Sequence, residues 1–62
     1  MPVVQVNLKS GRTIDQKREI VRRMTDVLVD VCDSVEERVH VIINEVEEDN
    51  WGRGGNLLSD IK

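Results

Sequence analysis

The spacing of apolar residues changes twice along this chain, and that change limits the folds open to it more than any other feature. Over Val3 to Leu8 the apolar Val4, Val6 and Leu8 alternate with Gln5 and Asn7, the two-residue period of a strand. Ile20, Val21, Met24, Val27, Leu28 and Val31 then recur at helical spacing and form one stripe, with Val29 opposite it. From Val39 the two-residue period returns in Val39, Val41 and Ile43, with Ile42 and Val46 on the other face. A turn at Ser10-Gly11 and the pair Thr13 and Gln16, spaced as a capping box, mark where the helix starts. Strand, helix and strand in this order predict an α/β fold: a single βαβ unit with parallel strands and a right-handed crossover. Ser34 to Glu37 repeats the capping spacing too close to the second strand for another helix, and predicts a single helical turn. Glu19 and Arg23, four residues apart, are ordered to pair on the polar side of the helix.

Size adds a second constraint. The 62 residues allow one domain, spanning 1–62, and a chain of this length buries only about 60% of the surface it exposes when unfolded. Disulfides, metals and oligomerisation are the usual reinforcements of so small a core. One cysteine rules out an internal disulfide, and one histidine without Cys or His neighbours at ligand spacing argues against a structural metal. Self-association remains. The strand pattern asks for it as well, because Val3, Ile42 and Val46 would stay wet on a two-stranded sheet covered by one helix. After the second strand, Trp51-Gly52-Arg53-Gly54-Gly55 and Asn56-Leu57-Leu58 predict a short C-terminal hairpin, an arm suited to packing on a neighbouring subunit.

Charge and composition exclude several functions. Nine Lys and Arg against twelve Asp and Glu give a net charge of −3, with the basic residues interleaved among acidic ones, so a nucleic-acid partner is not expected. No apolar run approaches the roughly 20 residues of a membrane span, and no secretory pattern opens the chain. A cytoplasmic protein with reduced Cys32 is the expectation, and the 39% hydrophobic content fits a folded chain.

Few residues offer chemistry. Gly52 to Gly55 lacks the lysine and hydroxyl of a phosphate loop. Glu45, Glu47, Glu48 and Asp49 read as a solvated turn after a strand. Cys32, at the end of the apolar stripe, reads as a small core residue with nothing to activate it. Arg12 stands out, because it sits just before the cap Thr13, where the positive end of the helix dipole disfavours a cation. Helix stability therefore does not account for it. Free backbone N–H groups and a guanidinium suit a carboxylate ligand there, although spacing alone allows a solvated surface arginine equally. Pro2 poses a similar choice. Proline is tolerated at the start of a strand, but a small second residue also favours removal of Met1, which exposes a secondary amine.

Taken together, Pro2 after the start methionine, Gly11-Arg12-Thr13 followed by Asp15-Gln16-Lys17, Val41-Ile42-Ile43 with Glu45, and Trp51-Gly52 with Gly54-Gly55 one residue further on resemble the 4-oxalocrotonate tautomerase family along essentially the whole chain. The resemblance implies a βαβ subunit assembled into a homohexamer. It also implies cofactor-free interconversion of the enol and keto forms of a small 2-hydroxy or 2-oxo acid. Pro2 would be the general base, its amine kept neutral by burial and by nearby arginines. Arg12, from a neighbouring subunit, would bind the substrate carboxylate or stabilise an enolate. Trp51 would supply part of an apolar wall.

One position departs from the family pattern. Well-characterised members carry a second arginine near the start of strand two, and here His40 stands in its place. A normal imidazole is mostly neutral at pH 7, able to donate a hydrogen bond without being a permanent cation. Arg38, Arg53 and Lys9 are the candidates to compensate, with Arg53 and His40 taken as substrate-binding positions alongside Trp51. His40 is equally readable as an exposed strand residue without a role. Two other functions stay open on these residues: a hydratase or dehalogenase acting on unsaturated acids through the same amine, and a non-catalytic oligomeric module.

Overall fold

The computed structural model describes residues 1–61. Strand β1 covers Val3–Lys9, helix α1 Ile14–Cys32 and strand β2 His40–Val46, with β1 and β2 parallel and Val4 facing Val41 in the register. A second, antiparallel pair, β3 at Gly52–Arg53 and β4 at Asn56–Leu57, forms the expected C-terminal hairpin. Gly54 and Gly55, at φ 62° and 87°, make its two-residue turn, which demands positive φ at both positions.

Sequence chemistry explains where α1 starts and stops. The Gln16 N–H donates to Thr13 Oγ1 at 3.1 Å and the Thr13 N–H to Gln16 Oε1 at 2.9 Å, so the capping box is complete. At the other end Asp33 adopts a left-handed conformation, φ 53°, and its N–H returns to the Leu28 carbonyl. The predicted turn before β2 is a 3₁₀ turn at Glu36–Arg38, later than expected, because Val35 rather than Ser34 precedes it and no side chain caps it. Arg22 spans the gap, donating to Asp26 Oδ1 at 2.6 Å and also to Glu36. Asp26 first, then Glu36, hold its guanidinium still more firmly in the charged form.

Alternation on the strands matches the pattern, with Val4, Val6, Leu8, Val41 and Ile43 half-buried and the residues between them exposed. The helix departs from it. Thr25, 7% exposed, is the one buried residue among those described, and its hydroxyl donates to the Val21 carbonyl at 2.7 Å. Of the predicted stripe, Ile20 and Leu28 are half-buried, whereas Val27 and Val31 are 49% and 73% exposed; Val29, expected opposite, is half-buried. The apolar arc of α1 is wider than two strands spaced about 4.8 Å apart can cover, so the line of closest approach runs through Thr25 and the far side of the arc stays open.

Two further expectations need correcting. Cys32 is exposed rather than in the core. A 19-residue helix runs about 28 Å and a seven-residue strand about 23 Å, so the last turn of α1 outreaches the sheet. Val46, expected to be wet, is half-buried and lines a cleft with Asn7, Asn50, Trp51 and Gly52, so the chain's own arm reaches that end of the open face. Val3 and Ile42 do stay open, at 53% and 44% exposure.

No hydrophobic residue among those described is buried. The accessible surface is 4929 Å² for a 7.1 kDa chain, against about 4,100 Å² for a compact monomer of that mass. The radius of gyration is 14.6 Å, where about 10.6 Å would be compact. The excess area, roughly 800 Å², is what one partner contributes to an ordinary protein interface.

Candidate active site

Pro2 lies at the N-terminal end of the sheet, half-buried, just ahead of β1. The His40 N–H donates to the Pro2 carbonyl at 3.0 Å, so the parallel ladder uses the oxygen of Pro2 and demands nothing of its nitrogen. This answers why a strand can open on proline here. His40 itself is exposed and sits opposite Val3 in the register.

The other predicted residues lie elsewhere. Gly11, at φ 113°, turns the chain from β1 into α1 and sets Arg12 ahead of the cap. Arg12 is exposed and lines a groove on the outer side of α1 with Gln16, Glu19, Ile20, Arg23 and Met24. Trp51 is half-buried, its carbonyl accepting from the Leu58 N–H at 2.8 Å, which closes the arm. Arg53 shares a cleft with Lys9, Glu48, Trp51, Leu58 and Ile61. Trp51 and Arg53 therefore come together, near the end of β1 that Arg12 follows. Seven residues of β1 separate that end from Pro2, about 23 Å at 3.3 Å per residue. A single chain does not bring Pro2 and Arg12 into one pocket.

Charge pairing distinguishes the arginines. Lys9 pairs with Glu48 at 3.3 Å, Arg18 with Asp15 at 2.7 Å, Arg23 with Glu19 at 2.6 Å, Lys17 with Glu45, and Arg22 with both Asp26 and Glu36. Glu45 and Glu48, expected in a solvated turn, are thus partly neutralised. Among the described residues, Arg12, Arg38 and Arg53 have no carboxylate partner. Guanidinium groups left unpaired on so acidic a chain are available to an anionic ligand. No cluster of three or more His, Cys, Asp or Glu among the described residues is placed to hold a metal ion. No helix among them is long and apolar enough to cross a membrane.

Comparison with known proteins agrees with the architecture. Residues 2–61 match the family described as Tautomerase enzyme. The 2-hydroxymuconate tautomerase of Bacillus subtilis (strain 168) is 36% identical over 62 residues, with all of both chains covered. The crystal structure of YwhB, a homologue of 4-oxalocrotonate tautomerase, superposes with a TM-score of 0.94 at 34% identity, covering 98% of this chain and 100% of that one. A heterohexamer 4-oxalocrotonate tautomerase from Chloroflexus aurantiacus J-10-fl gives 0.91 at 26% identity, with both chains fully covered.

Proposed function

Because the chain belongs to the tautomerase family, we propose that it is a cofactor-independent isomerase of one domain, interconverting the enol and keto forms of a small 2-hydroxy or 2-oxo carboxylic acid. The kinship with a 2-hydroxymuconate tautomerase supports unsaturated acids of that kind as the substrate class. In this reading Met1 is removed and the Pro2 amine is the general base. A neutral secondary amine takes the proton of the substrate's 2-hydroxyl and a proton is returned to carbon, so composition is unchanged. The observation that carries the reading is the hydrogen bond from His40 to the Pro2 carbonyl, which fixes Pro2 through its oxygen and leaves its nitrogen free of the ladder.

Arg12 binds the substrate carboxylate and stabilises charge that develops on the enolate. Trp51 forms part of an apolar wall that helps keep the amine uncharged. His40 and Arg53 complete the substrate contacts, His40 by donating a hydrogen bond. Since Pro2 and Arg12 stand a strand's length apart in one chain, the site is assembled between copies, for which we take a homohexamer as the arrangement. The excess accessible surface and the open apolar residues Val3 and Ile42 support such association.

The test is ketonisation of 2-hydroxymuconate or phenylenolpyruvate, followed by ultraviolet absorbance on protein whose mass shows loss of Met1. Turnover well above the buffer rate, lost in Pro2→Ala while sedimentation is unchanged, is the expected result. Full turnover in Pro2→Ala would falsify the mechanism.

A further inference from the structure

The open face of the β1–β2 sheet carries carboxamides that its own chain does not use. On that face the register sets Gln5 beside Ile42, Asn7 beside Asn44 and Lys9 beside Val46. Gln5, Asn7 and Asn44 are exposed, and among the described residues none of the three makes a side-chain hydrogen bond. Lys9 is the one Lys, Arg, Asp or Glu that the two strands place there, and it is already paired with Glu48 at 3.3 Å. Ion pairs therefore have little part in what this face can recognise.

An amide on an ordinary surface bonds to water and needs no account. Asn7 and Asn44 differ through their neighbours. Val3 and Ile42, 53% and 44% exposed, lie on the same face, and Asn7 also lines the arm cleft with Asn50 and Trp51. The chain exposes roughly 800 Å² more than a compact monomer of its mass, one partner's share of an ordinary interface. Val3 and Asn7 are four residues apart, about 13 Å along the strand, well inside the width of such a contact. A partner that covers Val3 and Ile42 also takes both asparagines out of water.

Once buried, an amide without a partner costs more than a made hydrogen bond gains. A carboxamide has an acceptor oxygen and two N–H donors, so another carboxamide complements it fully, whereas a carboxylate or an ammonium group meets only one half of it. The surface that presents two carboxamides at the same spacing is this face of a second copy. An alignment that sets Asn7 or Asn44 against Val3 or Ile42 leaves donors and acceptors unmet, and is disfavoured for that reason.

We infer that Asn7 and Asn44 are the recognition pair of the open face: they hydrogen-bond to the same asparagines of a second copy and so fix which chains associate and in what alignment. Val3 and Ile42 supply the attraction and the amides the selectivity, as a polar residue in an apolar seam does between helices. The inference rests on the self-association in the proposed function and not on the chemistry of Pro2.

Asn7→Leu, Asn44→Leu and the double variant are compared with the parent by sedimentation velocity across a dilution series, with circular dichroism to verify that each chain folds. Each single variant is expected to weaken association by about tenfold or more, because the remaining asparagine is buried against leucine. The double variant, with both amides replaced by apolar groups of similar size, returns to within about threefold of the parent. Parent and double variant, one of them isotope-labelled, are then unfolded and refolded together and weighed by native mass spectrometry. Sorting into assemblies of one kind is the expected result. Single variants that associate within about twofold of the parent overturn the inference, as does a double variant weakened by the product of the two single effects. Mixed assemblies at the proportions of random combination, or a parent that stays monomeric, overturn it too. None of these readings uses turnover, so a parent that assembles and sorts but ketonises neither enol acid breaks the reading of Pro2 and leaves this one supported.

Discussion

The two ends of the β1–β2 sheet are made differently. At one end Pro2 is half-buried and bonded through its carbonyl to His40, the helix runs out into the left-handed Asp33, and Arg38 stands unpaired. At the other, Thr13 closes a complete capping box, Lys9 is paired with Glu48, and Arg53 lies beside the half-buried Trp51, with Arg12 just beyond β1. The proposed base is thus at one end and the aromatic wall and Arg12 at the other, with the length of a strand between them. Under the proposed function each chain offers two incomplete halves of a site, and the open face of its sheet is the surface proposed to bring halves from different copies together.

The largest effect expected from this contrast is on activity. Pro2→Ala lowers turnover by about 10²–10⁴-fold, and Arg12→Ala raises KM for the enol acid by about tenfold. When the two impaired variants are unfolded and refolded together in equal amounts and assayed at substrate well below KM, about a quarter of the sites regain both groups if chains mix at random into a symmetric assembly. Turnover in the mixture above that of either variant alone is the expected result. No recovery, with mixed assemblies confirmed by mass spectrometry, would mean that the two ends do not meet.

Next in size is the open face. Ile42→Asp places a charge at a position already 44% exposed in the single chain, so βαβ folding changes little while association loses roughly 3–5 kcal/mol if the site is buried between copies. Sedimentation velocity is expected to give a smaller species with no turnover. Parent-like assembly would move the contact to the exposed side of α1, around Val27 and Val31.

The smallest effects separate the two ends of the helix. Thr13→Ala removes the capping box at the Arg12 end and costs about 1 kcal/mol. Asp33→Gly at the Pro2 end relieves a left-handed conformation in a residue with a Cβ and stabilises by up to about 1 kcal/mol. Denaturant midpoints at fixed protein concentration are expected to move in opposite directions, and equal shifts in one direction would erase the contrast.

Local pattern made much of this readable. Thr13 and Gln16 share a hydrogen-bonding unit only three residues long, so the sequence contains every atom the capping box needs. The pairing of Glu19 with Arg23 and the turn at Gly54-Gly55 are of the same kind. The helix face departs from the periodicity where the outcome depends on width: Val27 and Val31 belong to the apolar arc, yet two strands are too narrow to reach them, and Thr25 takes the central place because its hydroxyl is satisfied by the Val21 carbonyl. Cys32 is exposed because of length, since the period of the stripe says nothing of where the sheet stops. Among site residues, Pro2 and Arg12 were visible as residues out of keeping with their local roles. Their separation was not, because the distance between them depends on how the chain runs through β1 and Gly11.

By itself the sequence determined the order of elements, the parallel pairing that a helical crossover requires and the boundaries set by caps and glycines, all of which depend on interactions between residues near in the chain or on the period of burial. Only the tertiary structure decided which side of α1 meets the sheet, that the strand ladder takes the oxygen of Pro2 and leaves its nitrogen, which arginines lack a carboxylate, and that the proline and Arg12 stand at opposite ends. Those outcomes rest on distances between residues far apart in sequence, and such distances follow from how elements of unequal length and width are packed.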